Sequence, residues 1–107
     1  MSDLNQVTLV GRLNDDPKSF SGAKTSVVAF RIGIYKGKNK ETGKGMYDNA
    51  NIKAFGDVAD KCMENLKKGS DVIVMGSFSS GSYEKDGKKV YTNDIIARTV
   101  GLQLKGE

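Results

Sequence analysis

Asp57-Val-Ala-Asp-Lys-Cys-Met-Glu-Asn-Leu-Lys-Lys68 decides the fold of this chain. Val58, Ala59, Cys62, Met63 and Leu66 recur at three- and four-residue spacing and form one narrow apolar stripe, the pattern of a helix that covers a core on one side. Asp57 or the preceding Gly56 caps its start, Lys67 and Lys68 complement the dipole at its end, and Gly69 stops it. It is the one convincing helical segment. With no helical partner for a bundle, it must plug something built from strands.

Strands flank it on both sides. Immediately upstream, Tyr47-Asp-Asn-Ala-Asn-Ile-Lys-Ala-Phe55 divides at the two-residue period of a strand. Ala50, Ile52 and Ala54 suit a core, whereas Tyr47, Asn49, Asn51, Lys53 and Phe55 form the other face. Before it lies a strand from about Lys24 to Tyr35, with Val28, Phe30, Ile32 and Ile34 inward and Ala29, Arg31, Gly33 and Tyr35 outward. Lys36 to Gly45 separates the two as a polar loop with three glycines. The first strand spans Gln6 to Leu13, with Val7, Leu9, Gly11 and Leu13 opposite Thr8, Val10 and Arg12, and is stopped by Asn14-Asp-Asp-Pro17. Downstream, Ser70 to Ser77 alternates as a fourth strand. Tyr83 to Ala97 is a hairpin arm turning at Asp86-Gly87 and extended by Val100, Leu102 and Leu104.

The sum is an all-β chain with one helix: five strands, the helix between strands 3 and 4. That order matches the OB-fold, a five-stranded Greek-key barrel, better than SH3-like barrels, which seldom carry a three-turn helix there. The OB-fold binds oligonucleotides or oligosaccharides on its second and third strands, helped by the loops joining strands one to two and four to five. The outward faces of Tyr35 and of Tyr47–Phe55 lie on that surface, and Ser79–Lys89 is the four-to-five loop. Rings at both ends with amides and a cation between them suit unpaired bases and their phosphates. The alternative is that the rings cover a rim or a subunit contact.

Composition narrows the function classes. A chain of 107 residues, 37% hydrophobic and 28% charged, is a single globular domain, residues 1–107. It lacks a secretory signal and any apolar run near the roughly 20 residues needed to cross a bilayer. A cytoplasmic protein is expected, with no membrane association. There is no histidine, so the commonest general base and metal ligand are missing. The one cysteine, Cys62, lies on the helix stripe and reads as a buried side chain. Asp15, Asp16 and Asp94 are the carboxylates a magnesium-dependent nuclease would need. Turn formation and surface charge explain them more simply, so neither an enzyme nor a metal or other cofactor is expected. The net charge of +4 is mild, but Lys36, Lys38, Lys40 and Lys44 crowd one loop and Lys85, Lys88 and Lys89 another. Such clusters are either solvated loop charge or a footprint for phosphate.

Four ordered pieces resemble the bacterial and phage single-stranded DNA-binding proteins. They are Asn5-Gln-Val-Thr-Leu-Val-Gly-Arg-Leu13 with Asp16-Pro17, then Ala54-Phe-Gly-Asp-Val-Ala-Asp60, then Leu66-Lys-Lys-Gly-Ser-Asp-Val72 with Met75-Gly76, and Ser82-Tyr-Glu-Lys-Asp-Gly-Lys-Lys-Val-Tyr-Thr92. The resemblance implies an OB-fold that assembles as a homo-oligomer, a tetramer before a dimer. It also implies wrapping of single-stranded DNA during replication, recombination or repair, with little sequence preference. Phe55 matches a family stacking position, and Tyr83 stands where many relatives have tryptophan. Asn49 occupies a third stacking position without a ring, so Tyr47 is the candidate replacement; Tyr35 and the lysine loop fall near a fourth. The contacts expected on this reading are Tyr35, Tyr47, Phe55 and Tyr83 to bases, Asn49 and Asn51 to base edges, and Arg31, Lys36, Lys38, Lys40, Lys53 and Lys85 to phosphates.

Two departures qualify the resemblance. No tryptophan is present, so stacking rests on smaller rings. The chain closes on Leu104-Lys-Gly-Glu107, without the acidic tail through which bacterial relatives recruit replication and repair enzymes. A short phage-type member, working in a host cytoplasm, or a truncated chain fits this ending. A protein-interaction module, with the aromatics as interface residues, is the rival reading.

Overall fold

The computed structural model describes residues 3–20 and 25–102. Its elements are β1 (Val7–Leu13), β2 (Lys18–Phe20), β3 (Val27–Lys38), β4 (Gly45–Phe55), α1 (Gly56–Asn65), β5 (Asp71–Lys85) and β6 (Lys88–Leu102). One sheet runs β1-β5-β6-β4-β3-β2, and β1 pairs again with β3 at Arg12↔Gly33 and Leu13↔Ile32. That second pairing closes β1, β3, β4, β5 and β6 into a barrel. All neighbours are antiparallel except β4 and β6, which run parallel at Ile52↔Ile95 and Lys53↔Ile96. The architecture is the OB-fold.

The alternation read from β1, β3 and β4 fills the interior. Leu13, Val28, Phe30, Ile32, Ile52, Ala54, Val72 and Val74 are buried together with Ala59, Cys62 and Leu66 from the helix side. Each large aliphatic side chain removed from water here contributes about 1.5–3 kcal/mol. Cys62 belongs to this core, and desolvation pushes its thiol pKa up. The helix stripe is narrower than expected, because Met63 lies on its flank and is exposed.

The helix also ends earlier, at Asn65. Leu66 still donates its N–H to the Cys62 carbonyl, but its ψ of 146° is extended. Lys67 and Lys68 therefore lie in the turn after the helix, where the Lys68 N–H donates to Asp16 Oδ1 at 2.7 Å. That bond and the Gly69 N–H to the Leu13 carbonyl at 3.0 Å tie the turn to the end of β1.

Besides β3 running on through Lys38, which makes Lys36, Gly37 and Lys38 of the expected loop strand residues, two further features differ from the sequence expectation. Lys18–Phe20 is a short strand on the outer edge of β3, paired at Lys18↔Ala29 and Phe20↔Val27. Counting it, the helix lies between the fourth and fifth strands, although it still connects the two expected barrel strands. The second is the Ser79–Lys89 segment, expected as a loop. Every residue from Ser79 to Lys85 pairs across to β6, from Ser79↔Asp94 to Lys85↔Lys88. The arm turns at Asp86 (φ 53°) and Gly87 (φ 76°), the two positive φ values of a type I′ turn, whose twist matches the strands it joins. Lys24 and residues 103–107, which carry the expected start of the second strand and the expected lack of an acidic tail, lie outside the described residues.

Candidate nucleic-acid interface

The β3–β4 register sets the outward residues side by side. Val27 stands opposite Phe55, Ala29 opposite Lys53, Arg31 opposite Asn51, Gly33 opposite Asn49 and Tyr35 opposite Tyr47. Residues two apart share a face, so Tyr47, Asn49, Asn51, Lys53 and Phe55 form one row, about 26 Å long at ~3.3 Å per residue. Arg31, Gly33 and Tyr35 form the row beside it. Phe55 ends the face as the last extended residue before the helix.

Short contacts fix the polar middle. Arg31 Nε donates to Asn51 Oδ1 at 3.3 Å. Asn14, from the turn after β1, donates from Nδ2 to Asn49 Oδ1 at 2.9 Å. Lys53 Nζ lies 3.6 Å from Asp94 Oδ2. The Tyr35 and Tyr47 rings meet edge to face, centroids 5.5 Å apart at 66°. Tyr35, Tyr47, Phe55 and Tyr83 are 55%, 58%, 44% and 52% exposed. Each ring is thus about half open to solvent.

The arm continues this face. Asp94, Thr92 and Val90 on β6 pair with Ser79, Gly81 and Tyr83 on β5, so Tyr83 lies on the same side of the ladder as Asp94 and its partner Lys53. Beyond Tyr83, Lys85 stands opposite Lys88 at the tip. Like charges paired across a ladder repel, and an anion between them would relieve that repulsion. At the other end of the face, Lys38 closes β3 opposite Gly45, and Lys40 lies in the turn where Asn39 Oδ1 accepts from the Glu41 and Thr42 N–H groups. Lys36 is not with them. Strand alternation places it on the other side from Tyr35, and its Nζ is 3.0 Å from Asp48 Oδ1.

The chain matches the model of the single-strand binding protein family over residues 4–103. It belongs to that family. It is similar to a single-stranded DNA-binding protein of Oceanobacillus iheyensis, 33% identical over 106 residues, covering 96% of this chain and 66% of the relative. Another such protein, of Aquifex aeolicus, is 32% identical over 102 residues, 92% of this chain and 69% of the relative. A third, of Clostridium perfringens, is 31% identical over 99 residues, 90% of this chain and 63% of the relative. The chain thus spans about two thirds of the length of these relatives.

Within this member of the single-strand binding protein family, several surface residues escape a reading of the sequence. Asn14 orients Asn49 from 35 positions away. Arg12 Nε donates to Asp71 Oδ1 at 2.9 Å, and this hydrogen bond with the Asp71 charge raises the guanidinium pKa. Tyr91 is 72% exposed, with Lys89 Nζ 5.6 Å from its ring centroid. It stands opposite Ser82, hence on the other side of the arm from Tyr83. Outward placement of Arg12 on β1 was legible; its partner, 59 residues away, was not. Of the carboxylates considered for magnesium, Asp16 holds the Lys68 amide and Asp94 faces Lys53. No three His, Cys, Asp or Glu side chains among the described residues are grouped to hold a metal ion.

Proposed function

We propose that this chain binds single-stranded DNA with little sequence preference along the β3–β4 face and the Tyr83 side of the arm. The observation that carries this reading is the single outward face with exposed rings at both ends and amides between them. Phe55, Tyr47, Tyr83 and Tyr35 take base faces, which every base offers. Asn49 and Asn51 reach base edges; Arg31, Lys38, Lys40, Lys53, Lys85 and Lys88 follow phosphates. Lys36 plays a lesser part, since Asp48 already partners it. Stacking and phosphate contacts make up most of this set and do not read sequence, so preference among unpaired strands is weak. Such binding protects single strands in replication, recombination and repair.

Salt tests the electrostatic half. Each phosphate contact to a single strand contributes about −0.7 to the slope of log affinity against log salt. Three or more contacts give a slope steeper than about −2, to be measured by fluorescence titration of oligo(dT) over a range of salt. Affinity that stays flat over that range would remove the phosphate contacts from the account.

We also propose a homo-oligomer, a tetramer before a dimer. Val10 and Ile73 pair across β1 and β5 with Met75 nearby, and all three are exposed. An outward apolar row of this kind is suited to burial against a second copy. Light scattering on a sizing column should give a mass two or four times that of the chain; a monomer mass would refute assembly. No helix among the described residues is long and apolar enough to cross a membrane, and we place the protein in the cytoplasm.

A further inference from the structure

Where β1 closes on β3, a groove of about 500 Å³ opens beside the Tyr35–Tyr47 corner of the face. Gly33 forms its floor and brings no side chain; a Cβ there would lie 3.0 Å from Asn14 Oδ1 and 3.8 Å from Tyr47 Cδ1. The tyrosine pair forms one wall. Arg12 forms another, gripped at Nε by Asp71 while its side chain stays 60% exposed.

The groove joins the tyrosine pair of the face to a guanidinium from β1. A planar guanidinium with five N–H donors matches phosphate oxygens in a way a lysine does not. An aromatic pair beside it offers a stacking surface, and the groove's volume falls in the range of small-molecule sites. As a brace alone the Arg12–Asp71 pair contributes little, since an exposed ion pair in high dielectric gains little net stability. What Asp71 does supply is a fixed position for Arg12 next to Tyr47.

We propose that this groove seats one nucleotide of the bound strand, its base against the tyrosine pair and its phosphate on Arg12. The strand thereby gains a phosphate contact at the end of β1, next to Tyr47. This assignment rests on the strand lying along the β3–β4 face.

Two measurements test it. Arg12→Gln should make the salt slope for oligo(dT) shallower by about 0.7, one single-strand phosphate contact, with the oligomer mass unchanged. Arg12→Lys should keep most of the slope. In the wild-type protein, oligo(dT) should protect Arg12 from phenylglyoxal, read by mass spectrometry, which keeps the test open if the variants fold poorly. An unchanged slope in Arg12→Gln, or modification of Arg12 at the same rate with DNA bound, overturns the groove assignment. Phe55→Ala separates this from the broader reading. If it weakens binding while Arg12→Gln keeps the slope, only the groove falls; if neither variant changes binding, the face falls with it.

Discussion

Phe55→Ala is expected to weaken oligo(dT) binding about 5- to 150-fold, the effect of losing one stacked base at about 1–3 kcal/mol. The fold should barely notice. Phe55 is 44% exposed on the outward side of β4, while its neighbour Ala54 is buried. As the residue that precedes the helix it has an extended backbone (φ −129°, ψ 150°) and no side-chain cap. Alanine adopts that conformation readily. Thermal unfolding of the variant should therefore stay near wild type while affinity drops. Unchanged affinity would remove the ring from the binding face, and a collapsed melting temperature would make it a packing residue instead. Tyr47 gives a less clean test, because its ring meets Tyr35 at 5.5 Å and its removal also frees a second ring.

How far the sequence reaches is set by the range of the interactions involved. Period-two alternation in β1, β3 and β4 and the Ala59, Cys62, Leu66 stripe follow from which side faces the core, and a chain segment carries that information locally. So does the Asp86-Gly87 turn. The three residues of β2 are too few to alternate, and their strand state depends entirely on the edge of β3. Ser79–Ser82 looks like a loop because serine and glycine have no apolar face; only the partner strand, ordered by the tight turn, reveals the ladder. The site follows the same rule. Outward residues on β3 and β4 were legible as a row, whereas the lysines were grouped by proximity along the chain. Alternation through Ile34 sends Lys36 to the opposite side from Tyr35, and a register shift between Tyr35 and Gly37 redirects the rest of β3. Contacts such as Asn14 with Asn49 and Arg12 with Asp71 join residues that only barrel closure brings together.

Gly76→Ala should be the most damaging single-methyl change in the barrel wall. Gly76 pairs with Ala97 beside a register shift, where Met75 pairs with Thr99 and Arg98 is left over. This bulge brings the β6 backbone against Gly76. A Cβ there would overlap the Ile96 carbonyl oxygen and lie 3.1 Å from the Ala97 Cα. Both obstacles are backbone inside a paired ladder, so neither can swing aside as a side chain would. In an open site the same substitution stabilises by about 0.4–1 kcal/mol through the unfolded chain. Here the overlap reverses the sign, with a loss toward the upper end of the ~1–3 kcal/mol range for overpacking. For a domain of this size that lowers the melting temperature by on the order of 10–20 °C. Gly81→Ala on the same strand is the matched control, because its Cβ would meet only the Thr92 hydroxyl at 3.1 Å, a group that can rotate away. Calorimetry should find Gly81→Ala near wild type and Gly76→Ala far below it. Equal melting temperatures would show that β5 and β6 do not approach so closely. Since the bulge also aims the arm, Gly76→Ala should weaken oligo(dT) binding through Tyr83 even at temperatures where the barrel remains folded.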